Sequence, residues 1–359
     1  MVLTISRIHI SVASPGYPGI LQGRFHGGKE LINNGQANEG QSNRLGAAGQ
    51  SETRGRWPAL PLAEWEDTRA TLHMWTQVVG KIRLGLMPMM NHWWQVPLYV
   101  TSRGLTTSMM PYGELCLEME FDFHRHVLQI STTDGQAREV RLEPRSVADF
   151  YMETMARLAE LDLPVKIFTR PVEVDSPIPF EADHEHHSYD ADYARRFWQS
   201  LVQSQQVFID FRSNYVGKVS PVNFYWGAFD LASGRFSGRE APPHPGGIPN
   251  SPDYVQRLAY THEVSAYGYW PGGGNEGLFY AYAYPQPPGY EEQSVRPASA
   301  YYDQALGEFV LPYEALRSSD RADSRLLDFL QSTYEAAADL GGWDRERLER
   351  SPGKGPRTS

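Results

Sequence analysis

The residue types able to ligate metals or move protons are concentrated at a few places in this 359-residue chain. The densest is Asp183-His184-Glu185-His186-His187. In an extended segment alternate side chains point the same way, so His184 and His186 would share one side. With a carboxylate from elsewhere they are the candidate ligands of a divalent zinc or ferrous ion. The His-Glu-x-x-His spacing of a helical zinc site is missing, and the competing reading is a solvated acidic loop. No other cofactor is specified, because Pro271-Gly-Gly-Gly274 lacks the Lys-Ser/Thr of a phosphate-binding loop. His92, His187 and His262 are candidate acid–base groups, with Glu263 beside the last. Neighbours on a strand face opposite ways, so His262 and Glu263 cannot both enter one cavity. The alternative for such histidines is a core position bonded to a backbone carbonyl.

Arg103 precedes Gly104 and Arg235 follows Gly234. Glycine permits close backbone approach, and a guanidinium offers a fork to carboxylate or phosphate. The competing role is structural, each arginine pairing with an acid such as Asp122 or Asp230. His73, Gln77 and Lys81 recur one turn apart on a helical stripe. A solvated face would explain Lys81, whereas His73 and Gln77, followed by Trp94, suit a ligand-lined cleft. Tyr280, Tyr282 and Tyr284 alternate along one strand and share a face. That row could line a pocket, support a dimer interface or cover a half-exposed sheet. Cys116 falls inside an alternating strand pattern and no Gly-x-Ser-x-Gly elbow occurs, so a nucleophile triad has no support.

The elements that must position these groups follow from periodicity. Leu72, Trp75, Val79, Ile82 and Leu86 predict a helix over about 68–84, and 95–101 reads as an edge strand. Residues 115–123 alternate apolar and polar, and Asp134-Gly135 predicts a hairpin between 127–132 and 138–142. Ser146 is the expected cap of a helix, and 165–168 reads as a short strand. A helix is expected over about 190–212 and another over 323–340. Strands are expected at 221–231, 258–270, 277–284 and 308–313. The reading is an α+β fold, antiparallel sheets flanked by helices, with internal duplication of a helix–strands–helix unit. The halves are 56–180 and 181–343. The Gly/Asn/Gln/Ser-rich residues 1–55 and the end 344–359 are expected to be disordered tails.

Several motifs resemble the bacterial family called domain of unknown function 5996. They are Trp57-Pro-Ala-Leu-Pro61, Thr71-Leu-His-Met-Trp-Thr-Gln77, Asn91-His-Trp-Trp94, Arg103-Gly-Leu-Thr-Thr-Ser108 and Ser146-Val-Ala-Asp-Phe-Tyr151, then His187-Ser-Tyr-Asp190, Arg235-Phe-Ser-Gly-Arg239, His262-Glu-Val-Ser265 and Trp270-Pro-Gly272. The resemblance runs from roughly Trp57 to Trp343 and leaves 1–55 as an addition. Asn223 departs from it, since the family pattern implies histidine there. It implies no activity, cofactor or catalytic residue.

A net charge of −10 without a basic run argues against a nucleic-acid partner. No apolar run is long enough to span a membrane and no signal peptide is evident, so a cytoplasmic location is expected. Oligomeric state is not specified. The first functional expectation is an enzyme acting on a small anionic molecule in a His/Trp/Tyr-lined cleft between the halves. The alternatives are a non-catalytic small-molecule binder and an interaction module that uses exposed aromatics.

Overall fold

Thirteen consecutive residues of the first helix, Thr71 to Arg83, are buried, so this helix runs through the interior instead of along a surface. The computed structural model describes residues 56–350. Its elements are α1 (Leu62–Leu86), β1 (Tyr99–Val100), β2 (Gly104–Thr106), β3 (Met110–Tyr112), β4 (Leu115–Asp122), β5 (Val127–Thr132), β6 (Ala137–Arg141) and α2 (Val147–Ala159). Then follow α3 (Ala191–Ser213), β7 (Asn223–Tyr225), β8 (Asp230–Glu240), α4 (Asp253–Ala259), β9 (His262–Trp270) and β10 (Leu278–Tyr284). The chain closes with β11 (Tyr301–Asp303), β12 (Glu308–Pro312), α5 (Tyr313–Arg317), α6 (Ala322–Leu340) and α7 (Arg345–Leu348).

The fold is α+β. One six-stranded antiparallel sheet has the order β1-β2-β4-β5-β6 with β3 also on β4, and the other the order β11-β12-β10-β9-β8-β7. Each is preceded by a long helix and followed by another. The sheets touch at their edges, where Leu98 and Phe224 exchange two backbone hydrogen bonds of 2.9 Å. Gly80 lets the turn after β7 approach α1: a β-carbon there would fall inside the Trp226 indole. That indole donates to the Val96 carbonyl at 2.8 Å.

Local rules account for several boundaries. Ser146 Oγ accepts the Asp149 N–H at 3.1 Å and caps α2, and the Asp190 carboxylate accepts two N–H groups at the start of α3. The β5–β6 hairpin turns at Gly135, whose φ of +88° suits glycine.

Other expectations need correction. Residues 165–168 pair with no strand. Residues 258–259 belong to α4, and the predicted 221–231 strand is broken by a turn between β7 and β8. Residues 344–350 do not fray: α7 forms there, and the Val216 N–H donates to the Leu348 carbonyl at 2.8 Å. Residues 1–55 and 351–359 lie outside the described residues. Among the described residues no helix is long and apolar enough to cross a membrane.

Candidate functional site

The register of the second sheet sorts its side chains into two unlike faces. On one face Tyr267 meets Phe208 and Phe211 of α3, with ring centroids 5.2 and 5.0 Å away. Arg235 lies on the same face, its guanidinium 3.4 Å from the Phe211 ring centroid and 4.4 Å from that of Tyr334. It donates to the Phe211 carbonyl. The guanidinium is held between rings and 1% exposed, an arrangement of the structural kind weighed for Arg235 in the sequence.

The opposite face has a low centre and a polar rim. Ala232 pairs with Gly268, which pairs with Tyr280, and Gly234 pairs with Ala266, which pairs with Tyr282. Small residues therefore floor β8 and β9, while two tyrosines rise from β10. Asp230 and Tyr225, directly opposite each other, and Asn223 complete the rim on the β7–β8 side. Gly268 makes a specific arrangement possible: a β-carbon at this position would collide with the Tyr280 hydroxyl. The phenol instead lies across the strand and donates to Asp230 Oδ2.

Asp230 is fully buried, and desolvation pushes its carboxyl up to about 7, against the opposing Tyr280 hydrogen bond. Burial, with Asp230 and Glu308 nearby, holds the Tyr280 phenol well above its ordinary value. The hydroxyls of Tyr282 and Tyr260 meet at 2.7 Å, and Asn223 Nδ2 donates to the Tyr225 hydroxyl at 2.8 Å. Asp230 Oδ1 and Asn223 Oδ1 have no hydrogen-bond partner among the described residues. Tyr280 and Tyr282 are buried and stack at 6.1 Å, so the tyrosine row is not an exposed interface.

A cavity of about 300 Å³ is lined from the first half by Arg69, His73 and Glu173 and from the second by Ala228, Pro249 and Trp270, and Asp230 is not among its lining residues. Glu173 also lies within electrostatic reach of Asp230 and Tyr260. The helical stripe supports this wall. Gln77 Oε1 accepts the Val172 N–H and its Nε2 donates to the Val172 carbonyl, both at 2.9 Å, as a strand would. His73 Nε2 donates to the Gly227 carbonyl at 2.8 Å. Burial, then the Arg69 charge, depresses His73 to about 3, so the ring is neutral. Lys81 is not solvated; it is 5% exposed, with Nζ 5.3 Å from the Phe168 ring centroid.

A second cluster forms at the turn after α1. His92 and Trp93 adopt φ of +56° and +59°, a region that non-glycine residues rarely occupy. The turn is held by α4: His92 Nδ1 donates to the Ala259 carbonyl at 2.6 Å and Trp93 Nε1 to the Val255 carbonyl at 3.0 Å. His92 Nε2 is thereby the acceptor, and Lys218 Nζ lies 2.6 Å from it. Trp94 and Phe236 flank Lys218, and the His262 ring centroid is 5.7 Å from that of His92. Glu263 points elsewhere and pairs with Arg239 at 2.7 Å. Neither Lys218 nor α4 is marked as part of a site by periodicity in the sequence.

The remaining candidates do not join either cluster. Arg103 Nε donates to Asp122 Oδ2 at 2.7 Å, the structural pairing. Burial pushes the Asp122 carboxyl up, but the Arg125 N–H and Arg103 outweigh it and hold it below its ordinary value. His186 Nδ1 is 2.8 Å from Asp183 Oδ2, while His184 is exposed. Among the described residues no group of three or more His, Cys, Asp or Glu side chains is placed to hold a metal ion. His187 lies in a separate groove with Glu64 and Asp67 at the start of α1. His92, His187 and His262 therefore do not converge.

The model of a family of unknown function, DUF5996, matches residues 57–350. The chain belongs to this family. The match takes in both sheets, the cavity and the His92 turn of this DUF5996 protein. No curated protein and no solved structure matches the chain.

Proposed function

We propose that the protein binds a small molecule bearing a protonated amine, with the amine seated between Asp230 and Glu173. One observation carries the reading: Asp230 is fully buried, keeps one oxygen unpaired, and has no Lys or Arg bonded to it among the described residues. A buried carboxylate of this kind is costly unless a charge partner arrives. Tyrosine faces around it suit an alkylammonium, and the cavity at Glu173 is of a size for a small ligand. The anionic ligand suggested by Arg103 and Arg235 gives way to a cationic one, since Asp122 and the Phe211 carbonyl hold those guanidiniums. The same reading takes the two helix–strands–helix halves as copies of one unit, with the ligand where they meet.

The test is thermal stabilisation of the protein by a panel of small amines, matched against neutral and anionic analogues. Amines are expected to raise the Tm of the wild type, and not that of Asp230→Asn or Glu173→Gln. Stabilisation by anions alone, or equal stabilisation of Asp230→Asn, overturns the proposal.

A further inference from the structure

We propose that Lys218 is a nucleophilic amine that condenses with small aldehydes or ketones, and that His92 is its proton acceptor. This site is separate from the amine-binding face and does not depend on it. Three observations meet here. First, the Nδ1 hydrogen of His92 is committed to the Ala259 carbonyl at 2.6 Å, which leaves the Nε2 lone pair aimed at Lys218 Nζ, 2.6 Å away. A second hydrogen bond thus fixes the basic tautomer of the ring. The left-handed backbone of His92, at φ +56°, shows that the fold holds the ring there against local preference.

Second, no negative charge holds Nζ as the ammonium. The Trp94 and Phe236 ring centroids lie 5.5 and 5.1 Å away, and their cation–π attraction is weak beside an ion pair. Among the described residues no carboxylate forms an ion pair with Lys218. The other titratable rings at the site are His92 and His262, and neither supplies a negative charge. Burial lowers the Lys218 pKa in consequence, the way a lysine is made nucleophilic at neutral pH. Third, the amine is fixed and accessible. Its backbone carbonyl accepts the Phe236 N–H at 3.0 Å, while the side chain is only half-buried.

The chemistry balances without an added oxidant or reductant. The Nζ lone pair forms the C–N bond as the carbonyl π pair moves to oxygen. A proton passes from Nζ to His92 Nε2 and on to that oxygen, giving a carbinolamine. The hydroxyl then takes a proton from solvent and leaves as water while the nitrogen lone pair forms the C=N bond, and the resulting iminium returns its N–H proton to solvent through His92 Nε2. The net change is amine plus carbonyl to imine plus water.

The test is reductive trapping of the full chain with propanal and cyanoborohydride at neutral pH, followed by peptide mass spectrometry. Exposed Lys166 serves as the internal reference. Lys218 is expected to be labelled at least about tenfold more than Lys166 in the native protein, because rate follows the neutral-amine fraction. The preference should vanish in urea. His92→Gln should bring Lys218 to the Lys166 level with the circular dichroism spectrum unchanged. Native labelling of Lys218 no greater than that of Lys166 overturns the proposal. A preference that persists in folded His92→Gln overturns the role of His92. Should that variant not fold, the native wild-type comparison with its urea control decides the reactivity of Lys218, and His92→Asn decides the role of the ring.

Discussion

Tyr280 reaches Asp230 by passing over Gly268, so a hydrogen bond between β10 and β8 crosses the strand that separates them. The contact depends on a missing side chain. A β-carbon at Gly268 would fall well inside contact with the Tyr280 hydroxyl and 2.7 Å from the Leu231 carbonyl oxygen. Gly268→Ala should therefore destabilise the protein by about 1–3 kcal/mol, the usual cost of overpacking. Urea denaturation measures it, and an unchanged midpoint would contradict the geometry. Tyr280→Phe, which removes the hydrogen bond and keeps the ring, should cost less because the glycine still makes room.

Asp230 links stability to pH with an uncommon sign. Its carboxyl is raised from 3.8 to about 7 in the folded protein. Between those values the folded state holds a proton that the unfolded chain has lost, so stability falls as pH rises. Below about 4 both states are protonated, and above about 7 both are ionised and the full penalty is present. The slope from this one group approaches about 1.4 kcal/mol per pH unit within the window. Asp230→Asn mimics the protonated form and should be flatter by that amount from pH 4 to 7. Parallel pH profiles of the two proteins would refute the assignment.

Parts of this arrangement were legible in the sequence for reasons tied to period. The apolar spacing of Leu72, Trp75, Val79 and Ile82 places α1, and the alternation after Leu115 places β4. The hollow face was not legible. Ala232, Gly234, Ala266 and Gly268 lie on strands far apart in the chain, and their shared side emerges only from the register that sets them beside one another. Lys81 illustrates the same limit from the other direction. Its polar stripe reads as solvated, yet α1 is enclosed on all sides from Thr71 to Arg83 and Lys81 is 5% exposed. Periodicity tells which residues share a stripe, and not what covers it. Arg103 and Arg235, both preceded or followed by glycine, looked equivalent, but one pairs with Asp122 and the other is stacked on rings.

Binding of an amine should release a proton. With the Asp230 carboxyl near 7, an incoming ammonium favours the ionised form and lowers that value. Affinity should therefore rise with pH and level off above about 7, by up to about tenfold per unit where release is complete. Calorimetry of an amine ligand in buffers of different ionisation enthalpy reads the release directly. Wild type should show up to one proton released below pH 7, and Asp230→Asn should show none. A buffer-independent enthalpy at pH 6 would exclude Asp230 as the ligand's counter-ion.

Gln77 of α1 holds the wall that carries Glu173 by its backbone. Gln77 makes two 2.9 Å bonds with the backbone of Val172, and Gln77 itself is fully buried. Gln77→Leu keeps the volume roughly but strands a buried N–H and a buried carbonyl, each worth about 1–3 kcal/mol when unpaired. A loss of about 2–6 kcal/mol is expected if the segment stays in place. If the segment instead moves outward to hydrate those groups, the stability loss shrinks and amide exchange at 172–175 accelerates. The outward movement weakens amine binding, because Glu173 follows Val172 directly. Hydrogen exchange and urea denaturation on the same variant separate the two, and a variant with neither change would show that Gln77 does not hold this wall.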